Sequence, residues 1–236
     1  MGYSAYAPKP AGIQHVPLTG SEPNAILACT CDGAMTDLAG DAVFDADTPL
    51  FASNATYDGL RSAVRLPNGA ASIGTTTATD HQIAIATAVT YGGMFYFNSV
   101  GQTLTPYLMV SGTTTGATNQ NYAMKMGSGL FDSAPGGDTF GVEIPRACWF
   151  HAMCVENAGR SIAKLYLNGK LVATINPTSD SGALLATNDL WIGELAGTPN
   201  NSAAGLASDL FIADAEYSDA QIRTLAENAF GHGLPL

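Results

Sequence analysis

The feature that most constrains the fold is a hairpin signal in the second half of the chain. Two runs rich in apolar residues, 161–167 and 170–175, flank the dipeptide Asn168-Gly169. Asn-Gly supplies the two positive φ angles that a type I′ turn needs, and this turn joins neighbouring antiparallel strands. The two runs are therefore predicted to form a β-hairpin.

Further short apolar or alternating runs fill the chain from residue 25 onwards. Besides the hairpin, the predicted strands cover residues 25–29, 62–66, 81–89, 94–97, 106–110, 149–155, 190–193 and 207–213. Turn signals such as Pro67-Asn68-Gly69 separate them. Many short strands at short spacings indicate a sandwich or a barrel. A chain of 236 residues can bury the core of such a domain without metals or disulfides.

One helix is predicted, close to the C-terminus. Ser218 suits its N-cap, and Gln221 follows three residues later, as in a capping box. Its apolar stripe consists of Ile222, Leu225 and Ala226. Gly231 fits the position at which a helix ends. The predicted fold is all-β, a two-sheet antiparallel β-sandwich with one short C-terminal helix, and it spans residues 25–236.

Three stretches of the second half resemble a known superfamily. Residues 149–155 (WFHAMCV) are similar to a W-x-H-x-A-x-V strand, and residues 164–173 (KLYLNGKLVA) to an L-Y-x-N-G-x-x-V-A hairpin. The closing stretches 190–193, 207–212 and 217–222 are similar to two strands followed by a short S-x-x-E/Q-I helix. In these stretches the chain resembles the concanavalin A-like superfamily of lectins, in particular its laminin-G-like branch.

The resemblance carries expectations about topology and function. It implies a jelly roll of two curved antiparallel sheets, in which the first strand, near Ile26, lies beside the last strand, near Leu210. Members of the superfamily bind glycans, proteins or calcium at their loop rims, or serve as structural modules. Because one fold hosts many functions, the resemblance does not choose among these.

Residues 1–24 differ from the rest of the chain and are interpreted as an extended, proline-rich N-terminal arm. Prolines at positions 8, 10, 17 and 23 exclude a regular helix or a central strand there. The residues predicted to contact a partner are Tyr3, Tyr6, Pro8, Pro10, Ile13 and Val16. Arms of this kind commonly lock subunits together, so a homo-oligomer is expected.

The charge balance and the N-terminal sequence limit the classes of partner that are expected and the compartment in which the chain is made. Nine Lys and Arg residues stand against 20 Asp and Glu, for a net charge of −11. This balance argues against binding to nucleic acid or to anionic membranes, which needs clustered cations. The sequence starts without a cationic segment followed by an apolar run, so no signal peptide is predicted. The four cysteines are expected to be free and mostly buried thiols, made in a reducing compartment.

Residues with catalytic potential do not form a recognisable set. Asp214 and Glu216 are the nearest approach to a carboxylate pair, and they are interpreted as part of a solvated turn before the helix. His151 occupies the strand-histidine position of the resembled pattern and is assigned a structural role. No enzyme activity and no cofactor are predicted.

The sequence also offers candidate residues for two kinds of binding site. Calcium prefers several oxygen ligands on loops, and the candidates for a site are Asp32, Asp37 and Asp41, with Asp45 and Asp47 nearby. A glycan needs a flat exposed aromatic face. The candidates for that platform are Tyr91, Tyr107, Tyr122 and Trp191.

The sequence thus predicts a non-enzymatic structural or adhesive module. The expected setting is a phage virion, with the chain made in the host cytoplasm as a capsid decoration or fibre-associated protein. Its expected partners are capsid or tail proteins and further copies of itself. The alternative is a carbohydrate-binding module, and a weaker alternative is a glycan-cleaving enzyme.

Overall fold

The computed structural model describes residues 15–39, 44–45, 51–66, 75–76, 88–97, 107–112, 120–127, 130–134, 138–177, 189–192 and 205–231. For 44–45, 75–76, 107–112, 120–127, 132–134 and 189–192 the description is confined to the backbone. The predicted strand 81–89 falls mostly outside these ranges.

The described residues form strands and one helix. In chain order the strands are β1 (Ala25–Cys29), β2 (Phe44–Asp45), β3 (Phe51–Ala52), β4 (Ala63–Leu66), β5 (Thr75–Thr76), β6 (Val89–Tyr96), β7 (Tyr107–Gly112), β8 (Gln120–Gly127), β9 (Leu130–Ala134), β10 (Thr139–Glu143), β11 (Trp149–Glu156), β12 (Ala163–Leu167), β13 (Lys170–Ile175), β14 (Asp189–Ile192) and β15 (Gly205–Ala213). The helix, α1, covers Asp219–Ala229.

The strands build two antiparallel sheets. The eight-stranded sheet has the order β13-β12-β11-β6-β15-β4-β3, with β1 also paired to β15. The seven-stranded sheet has the order β10-β9-β8-β7-β14-β5-β2. The predicted fold class, an all-β sandwich with one short helix, is therefore confirmed. The first strand does lie beside the last, with Cys29 opposite Leu210.

Aromatic side chains from both sheets meet in the core between them. Phe150 of β11 lies edge-on to Phe131 of β9, with ring centroids 5.9 Å apart. Phe95 of β6 also packs against Phe150, with ring centroids 6.1 Å apart. Burying such large apolar side chains is the main stabilising contribution in a sandwich.

The eight-stranded sheet is covered on its outer face as well. Along β11, Cys154 belongs to the core between the sheets, whereas Met153 and Val155 pack towards α1. All eight residues of β11 are buried. Trp149 and Phe150 are both in the interior for this reason. A strand covered on both faces loses the alternation of apolar and polar residues that marks a half-exposed strand.

The predicted hairpin and the predicted helix pack against each other. Asn168 and Gly169 have φ angles of +49° and +78°, as a type I′ turn requires. A Cβ atom on Gly169 would lie 3.2 Å from the Cβ of Ala226 in α1. Ser218 caps α1, and Gln221 completes the predicted capping box. The two strongest local signals in the sequence therefore form one contact on the outer face.

The cysteines are free, as predicted, and three of the four are buried. Cys29 and Cys31 both lie in the core between the sheets, with their Sγ atoms 3.4 Å apart. Cys148 is exposed, directly before β11. Within the described part of the chain, no helix is long and apolar enough to cross a membrane.

Candidate functional site

The described end of the N-terminal arm forms part of the outer face. Residues 15–24, which we call the strap, run beside α1 before entering β1. The backbone N–H of Val16 donates to the carbonyl of Asn228 near the end of α1, at 3.1 Å. Leu18 packs against the apolar cluster beneath α1. The hydroxyl of Tyr217 donates to the carbonyl of Pro23. The strap is thus bound to its own domain at both ends.

A buried carboxylate at a bulge in β15 fixes the start of the strap. Asp209 has a φ of +50°, and the register between β15 and β6 shifts around it. Opposite the bulge, Gly92 has a φ of +153°, and a Cβ atom there would lie 2.0 Å from the carbonyl oxygen of Ala152. Neighbouring backbone approaches too closely here for any side chain. The irregular backbone turns the Asp209 carboxylate out of the strand ladder.

Donors from distant parts of the chain meet at Asp209. The guanidinium of Arg61 donates to both carboxylate oxygens, at 3.3 Å and 3.2 Å. The Nε2 atom of His15 lies 3.2 Å from Oδ1, and the hydroxyl of Ser208 donates to Oδ2 at 2.9 Å. Burial alone would raise the pKa of Asp209, but the hydrogen bond from His15 and the charge of Arg61 outweigh it and hold the pKa below its usual range. We call this set the Asp209 network.

A small cavity lies beside the network, beneath the strap. His15, Asp209 and His151 are among its lining residues, and its volume is about 10 Å³. That volume is at the lower limit for one water molecule. The Nδ1 atom of His151 is buried without a hydrogen-bond partner. Burial lowers the pKa of His151 to about 4, so the imidazole is neutral at pH 7. A cavity of this size holds no substrate, and the network acts as an anchor.

A second buried carboxylate lies between the sheets. At the end of β11, Glu156 accepts hydrogen bonds from the Tyr91 hydroxyl at 2.9 Å and from Nε of Arg160 at 2.6 Å. Both terminal nitrogens of Arg160 are buried without partners. Burial raises the pKa of Glu156 in spite of the neighbouring guanidinium. We call this set the Glu156 pair.

A groove opens between the strap and α1. Its volume is about 250 Å³, and it is bounded by Glu22, Pro23, Tyr217 and one side of the helix. The helix contributes short side chains, Ala220 and Thr224 among them. Of the cavities lined by described residues, this groove has room for a peptide or sugar fragment.

The predicted calcium ligands are engaged elsewhere or lie outside the described residues. Oδ1 of Asp32 accepts from the backbone N–H of Ser62 at 2.7 Å. Oδ1 of Asp37 accepts from the backbone N–H groups of Ala28 and Ala39, at 3.0 Å and 2.9 Å. The described residues contain no group of three His, Cys, Asp or Glu side chains suited to a metal ion. Asp41 and Asp47 lie outside them, and Asp45 belongs to β2 instead of the expected loop.

The prediction that Tyr91 belongs to an exposed aromatic platform is wrong. Tyr91 is fully buried, and its hydroxyl belongs to the Glu156 pair, so it has no face free for a sugar. The prediction failed because strand β6, like β11, is covered on both of its faces. The backbone register places Trp191 opposite Val110 and Tyr122 opposite Ser111, on neighbouring rows of the seven-stranded sheet. Tyr107 begins β7 in the same sheet.

The remaining predicted residues fall into three groups. Of the two carboxylates assigned to a solvated turn, Glu216 forms an ion pair with Lys164 at 3.0 Å, and Oδ1 of Asp214 is buried without a partner. Val16 is 38% exposed and belongs to the strap. The other predicted partner-binding residues of the arm lie outside the described residues, namely Tyr3, Tyr6, Pro8, Pro10 and Ile13.

Sequence reasoning missed the Asp209 network and the Glu156 pair. The partners His15 and Asp209 are 194 positions apart, so no local pattern joins them. One signal was available, the pair Gly92-Gly93 between the predicted strands 81–89 and 94–97, because glycines in a strand often mark a bulge or a close approach of backbone. That signal gives the position of an irregularity but not the residues that use it.

Comparison with known proteins identifies relatives of the fold. No protein-family model matches the chain, and no curated protein matches it. Among solved structures, the binding domain of Paraclostridial Mosquitocidal Protein 1 is similar with a TM-score of 0.66 and 11% sequence identity, over 89% of this chain and 55% of that one.

Two structures of the botulinum neurotoxin DC binding domain are similar to the same degree. The complex with rat synaptotagmin II gives a TM-score of 0.64 at 14% identity, over 87% of this chain and 52% of that one. The complex with SialylT gives a TM-score of 0.63 at 12% sequence identity, over 90% of this chain and 52% of that one. The chain therefore spans about half the length of these binding domains. At such low identity the likeness shows a shared β-sandwich fold and does not show a shared ligand or function.

Proposed function

We propose that this chain is a non-enzymatic attachment module of the concanavalin A-like class, in which a rigid sandwich presents an N-terminal arm to a protein partner. The setting we propose is the surface of a phage virion, where the chain serves as a capsid decoration or fibre-associated protein. The observation that carries the proposal is the Asp209 network. It clamps His15 and so gives the arm a fixed point of departure.

The described carboxylates support a structural role over a catalytic one. Glycan-cleaving chemistry needs two carboxyl groups free to act on opposite sides of one bond. Asp209 is occupied by donors from three chain segments, and Glu156 by Arg160 and Tyr91. Glu216 is paired with Lys164.

The structural neighbours also support a binding role. They are binding domains of toxins, and one was solved with rat synaptotagmin II and another with SialylT. Because this chain spans about half of each domain, those ligands are not transferred to it. What carries over into the proposal is the use of this architecture as a scaffold for attachment.

Removal of residues 1–14 tests the role of the arm. The strap is part of the domain, so the deletion should stop before His15 and leave the fold intact. We expect the full chain to form a defined oligomer by light scattering, and the truncated chain to be a folded monomer. An unchanged oligomer after truncation would overturn the role of the arm. A monomeric full chain would overturn the expected homo-oligomer.

The virion setting needs a separate experiment. Particles produced from the genome that encodes this chain should contain it in many copies per capsid, as measured by quantitative mass spectrometry of gradient-purified virions. Detergent- and salt-washed particles should retain it. Its absence from the particles would rule out the virion role.

A second candidate function is glycan binding, which the SialylT complex of a neighbour favours. A glycan array that includes sialylated structures would test it. Saturable binding that is lost in Trp191→Ala or Tyr122→Ala would favour the lectin role. A blank array at high protein concentration would count against it.

A further inference from the structure

Two thiols are in contact at the point where β1 ends. Cys29 is the last residue of β1, Cys31 follows it after one residue, and both are fully buried in the core between the sheets. Their Sγ atoms lie 3.4 Å apart, within hydrogen-bonding distance for sulfur. The Sγ atom of Cys31 also lies 3.7 Å from the carbonyl oxygen of Cys29. We call these two residues the thiol pair.

The backbone at Cys31 brings the two sulfurs together. In a regular strand, residues two positions apart have Cα atoms about 6–7 Å apart, at the upper limit of the roughly 4.4–6.8 Å that a disulfide bridges. Cys31 has a φ of +57°, which is unusual for a residue other than glycine. The chain therefore turns out of the strand at this residue, and the two side chains meet in the same core.

The two thiols differ in acidity. The S–H group of Cys31 donates to the Sγ atom of Cys29, and this hydrogen bond lowers the pKa of Cys29 in spite of its burial. Burial raises the pKa of Cys31, which keeps its proton as the donor. The thiolate is the form that attacks a disulfide. Cys29 is therefore the nucleophile of the pair, and Cys31 already lies 3.4 Å from the sulfur that it has to attack.

An exposed segment lies against the thiol pair. Residues 32–34 are exposed, and the backbone N–H of Thr36 returns to donate to the Sγ atom of Cys29. The side chain of Asp32 holds the segment by accepting from the backbone N–H of Ser62 at 2.7 Å. Exposed segments with few apolar contacts open more often than core strands do. Opening of this segment gives a reagent access to the sulfurs while both sheets stay folded.

We propose that the thiol pair is a redox-sensitive site, at which a small disulfide such as glutathione disulfide oxidises Cys29 and Cys31 to an intramolecular disulfide. The Cys29 thiolate, having given its proton to solvent, attacks one sulfur of the reagent, so that a mixed disulfide forms and one glutathione leaves as its thiolate. That thiolate takes the proton of Cys31, whose sulfur then attacks the Sγ atom of Cys29 and expels the second glutathione. The second thiolate takes a proton from solvent, so the protein loses two hydrogens and the reagent becomes two molecules of glutathione.

The disulfide ties the end of β1 to the exposed segment that follows it. A chain made in a reducing compartment folds with both thiols free. On transfer to oxidising surroundings the bond closes and restricts later opening of the segment. The inference goes beyond the proposed function and does not depend on it, because the chemistry belongs to the isolated chain.

Redox equilibration of the purified full chain tests the proposal. The chain is equilibrated in mixtures of reduced and oxidised glutathione, quenched with acid, alkylated and digested with trypsin. The tryptic peptide that ends at Arg61 contains Cys29 and Cys31 but neither of the other cysteines, so mass spectrometry reports the state of the thiol pair alone. We expect this peptide to lose two hydrogens and to escape alkylation.

Cys148 and Cys154 are the matched control within the same molecule. They share another tryptic peptide, and one is exposed whereas the other is buried. Six positions of extended chain separate them by about 20 Å, which no disulfide spans. They should therefore form no bond to each other under any of the glutathione mixtures.

The same equilibration in urea shows whether the fold favours the bond. Closing the short ring costs the unfolded chain conformational entropy that the folded chain has already lost. The equilibrium constant for oxidation of the thiol pair should therefore be roughly tenfold larger in the folded chain than in urea.

Asp32→Ala tests the route to the sulfurs. The change removes the acceptor for the backbone N–H of Ser62, so the segment should open more often and oxidation should become several-fold faster. The equilibrium constant should stay the same. Glu227→Ala removes an acidic side chain from the exposed pair with Arg223 on α1, and it should change neither quantity.

Two results of the equilibration would overturn the proposal. In one, the equilibrium constant for oxidation is equal or smaller in the folded chain than in urea. In the other, Cys29 or Cys31 is recovered bonded to Cys148 or to a second chain. An unchanged oxidation rate in Asp32→Ala would overturn the role of the exposed segment. None of these measurements involves virions or oligomers, so failure here and failure of the proposed function are distinguishable.

Discussion

Two buried carboxylates, one on the outer face and one between the sheets, respond in opposite ways to similar surroundings. Asp209 and Glu156 are 4% and 2% exposed, and each is paired with an arginine. The pKa of Asp209 is nevertheless lowered, whereas that of Glu156 is raised. Burial acts on both in the same direction, so the difference lies in the donors.

The number and origin of those donors separate the two sites. Asp209 receives both ends of the Arg61 guanidinium, together with His15 and Ser208. Arg160 offers Glu156 only its Nε atom and leaves two nitrogens without partners. The Asp209 network joins residues up to 194 positions apart, whereas in the Glu156 pair Arg160 is four positions and Tyr91 is 65 positions from the carboxylate. A buried charge contributes to the fold when its surroundings replace the lost water completely.

The largest effect is expected from Asp209→Asn. The change leaves Arg61 without its anionic partner and loosens His15, and breaking a buried pair on one side costs about 3–5 kcal/mol. Urea unfolding followed by circular dichroism measures the loss. Glu216→Gln is the control, because exposed pairs such as Lys164–Glu216 contribute about 1 kcal/mol or less. Equal losses of unfolding free energy in the two variants would show that the buried Asp209 network stabilises the fold no more than the exposed Lys164–Glu216 pair.

The buried titratable groups should make the stability of the fold depend on pH, and the largest contribution with a defined pH range comes from His151, beside the Asp209 network. The pKa of His151 is about 4 in the folded protein, against roughly 6.5 when unfolded. Folding therefore favours the neutral ring, and this stabilisation is present above pH 6.5 and is lost as the pH falls towards 4. The loss is on the order of 3 kcal/mol. Asp209, with its lowered pKa, loses its contribution only as the pH falls below about 4.

Glu156 acts in the opposite direction over the same range. Its pKa is raised, so the folded protein takes up a proton there before the unfolded chain does, and the site is relatively more favourable at low pH. Urea midpoints measured from pH 8 to pH 4 should fall steeply for the native chain. They should fall less for His151→Leu and more for Glu156→Gln. Parallel curves for all three would contradict the assignment.

The smallest effect is expected from replacing the Glu156 pair as a whole. In E156Q/R160M, Tyr91 can still donate to the amide, and the unpartnered guanidinium nitrogens are gone. Replacing a buried ion pair by neutral groups is often neutral or stabilising, so a change within about 1 kcal/mol is expected. The matching replacement D209N/R61M should cost several times more in the same unfolding assay, because the strap loses its anchor. A similar cost for both would show that the two sites are equivalent.

The parts of the fold that were predictable depend on short-range chemistry. The turn at Asn168-Gly169 and the cap at Ser218 are set by residues within a few positions, and both predictions are confirmed. The position of β1 beside β15 followed from the family resemblance. Strands β8, β9 and β10 were not predicted as strands, although β10 (TFGVE) alternates between polar and apolar residues over its five positions.

The candidate site was less predictable because its contacts are long-range. Tyr91 has the residue type of a sugar platform, and only the covering of both faces of β6 shows that it is buried. Asp209 lies in an apolar run that predicts an ordinary strand, and its left-handed backbone has no local signature. His15 was placed in the arm, but its partner could not be identified from spacing.

The strap and β1 also set the order in which the molecule can be completed. β1 pairs with β15, and His15 of the strap contacts Asp209 of β15 across 194 positions of sequence. At a translation rate of about 5–20 residues per second, the interval between the synthesis of the two residues is roughly 10–40 s. During that time β1 has no strand to join. The backbone N–H and C=O groups of β1 thus stay unpaired until β15 is synthesised, and an unpaired strand edge is prone to pair with other chains.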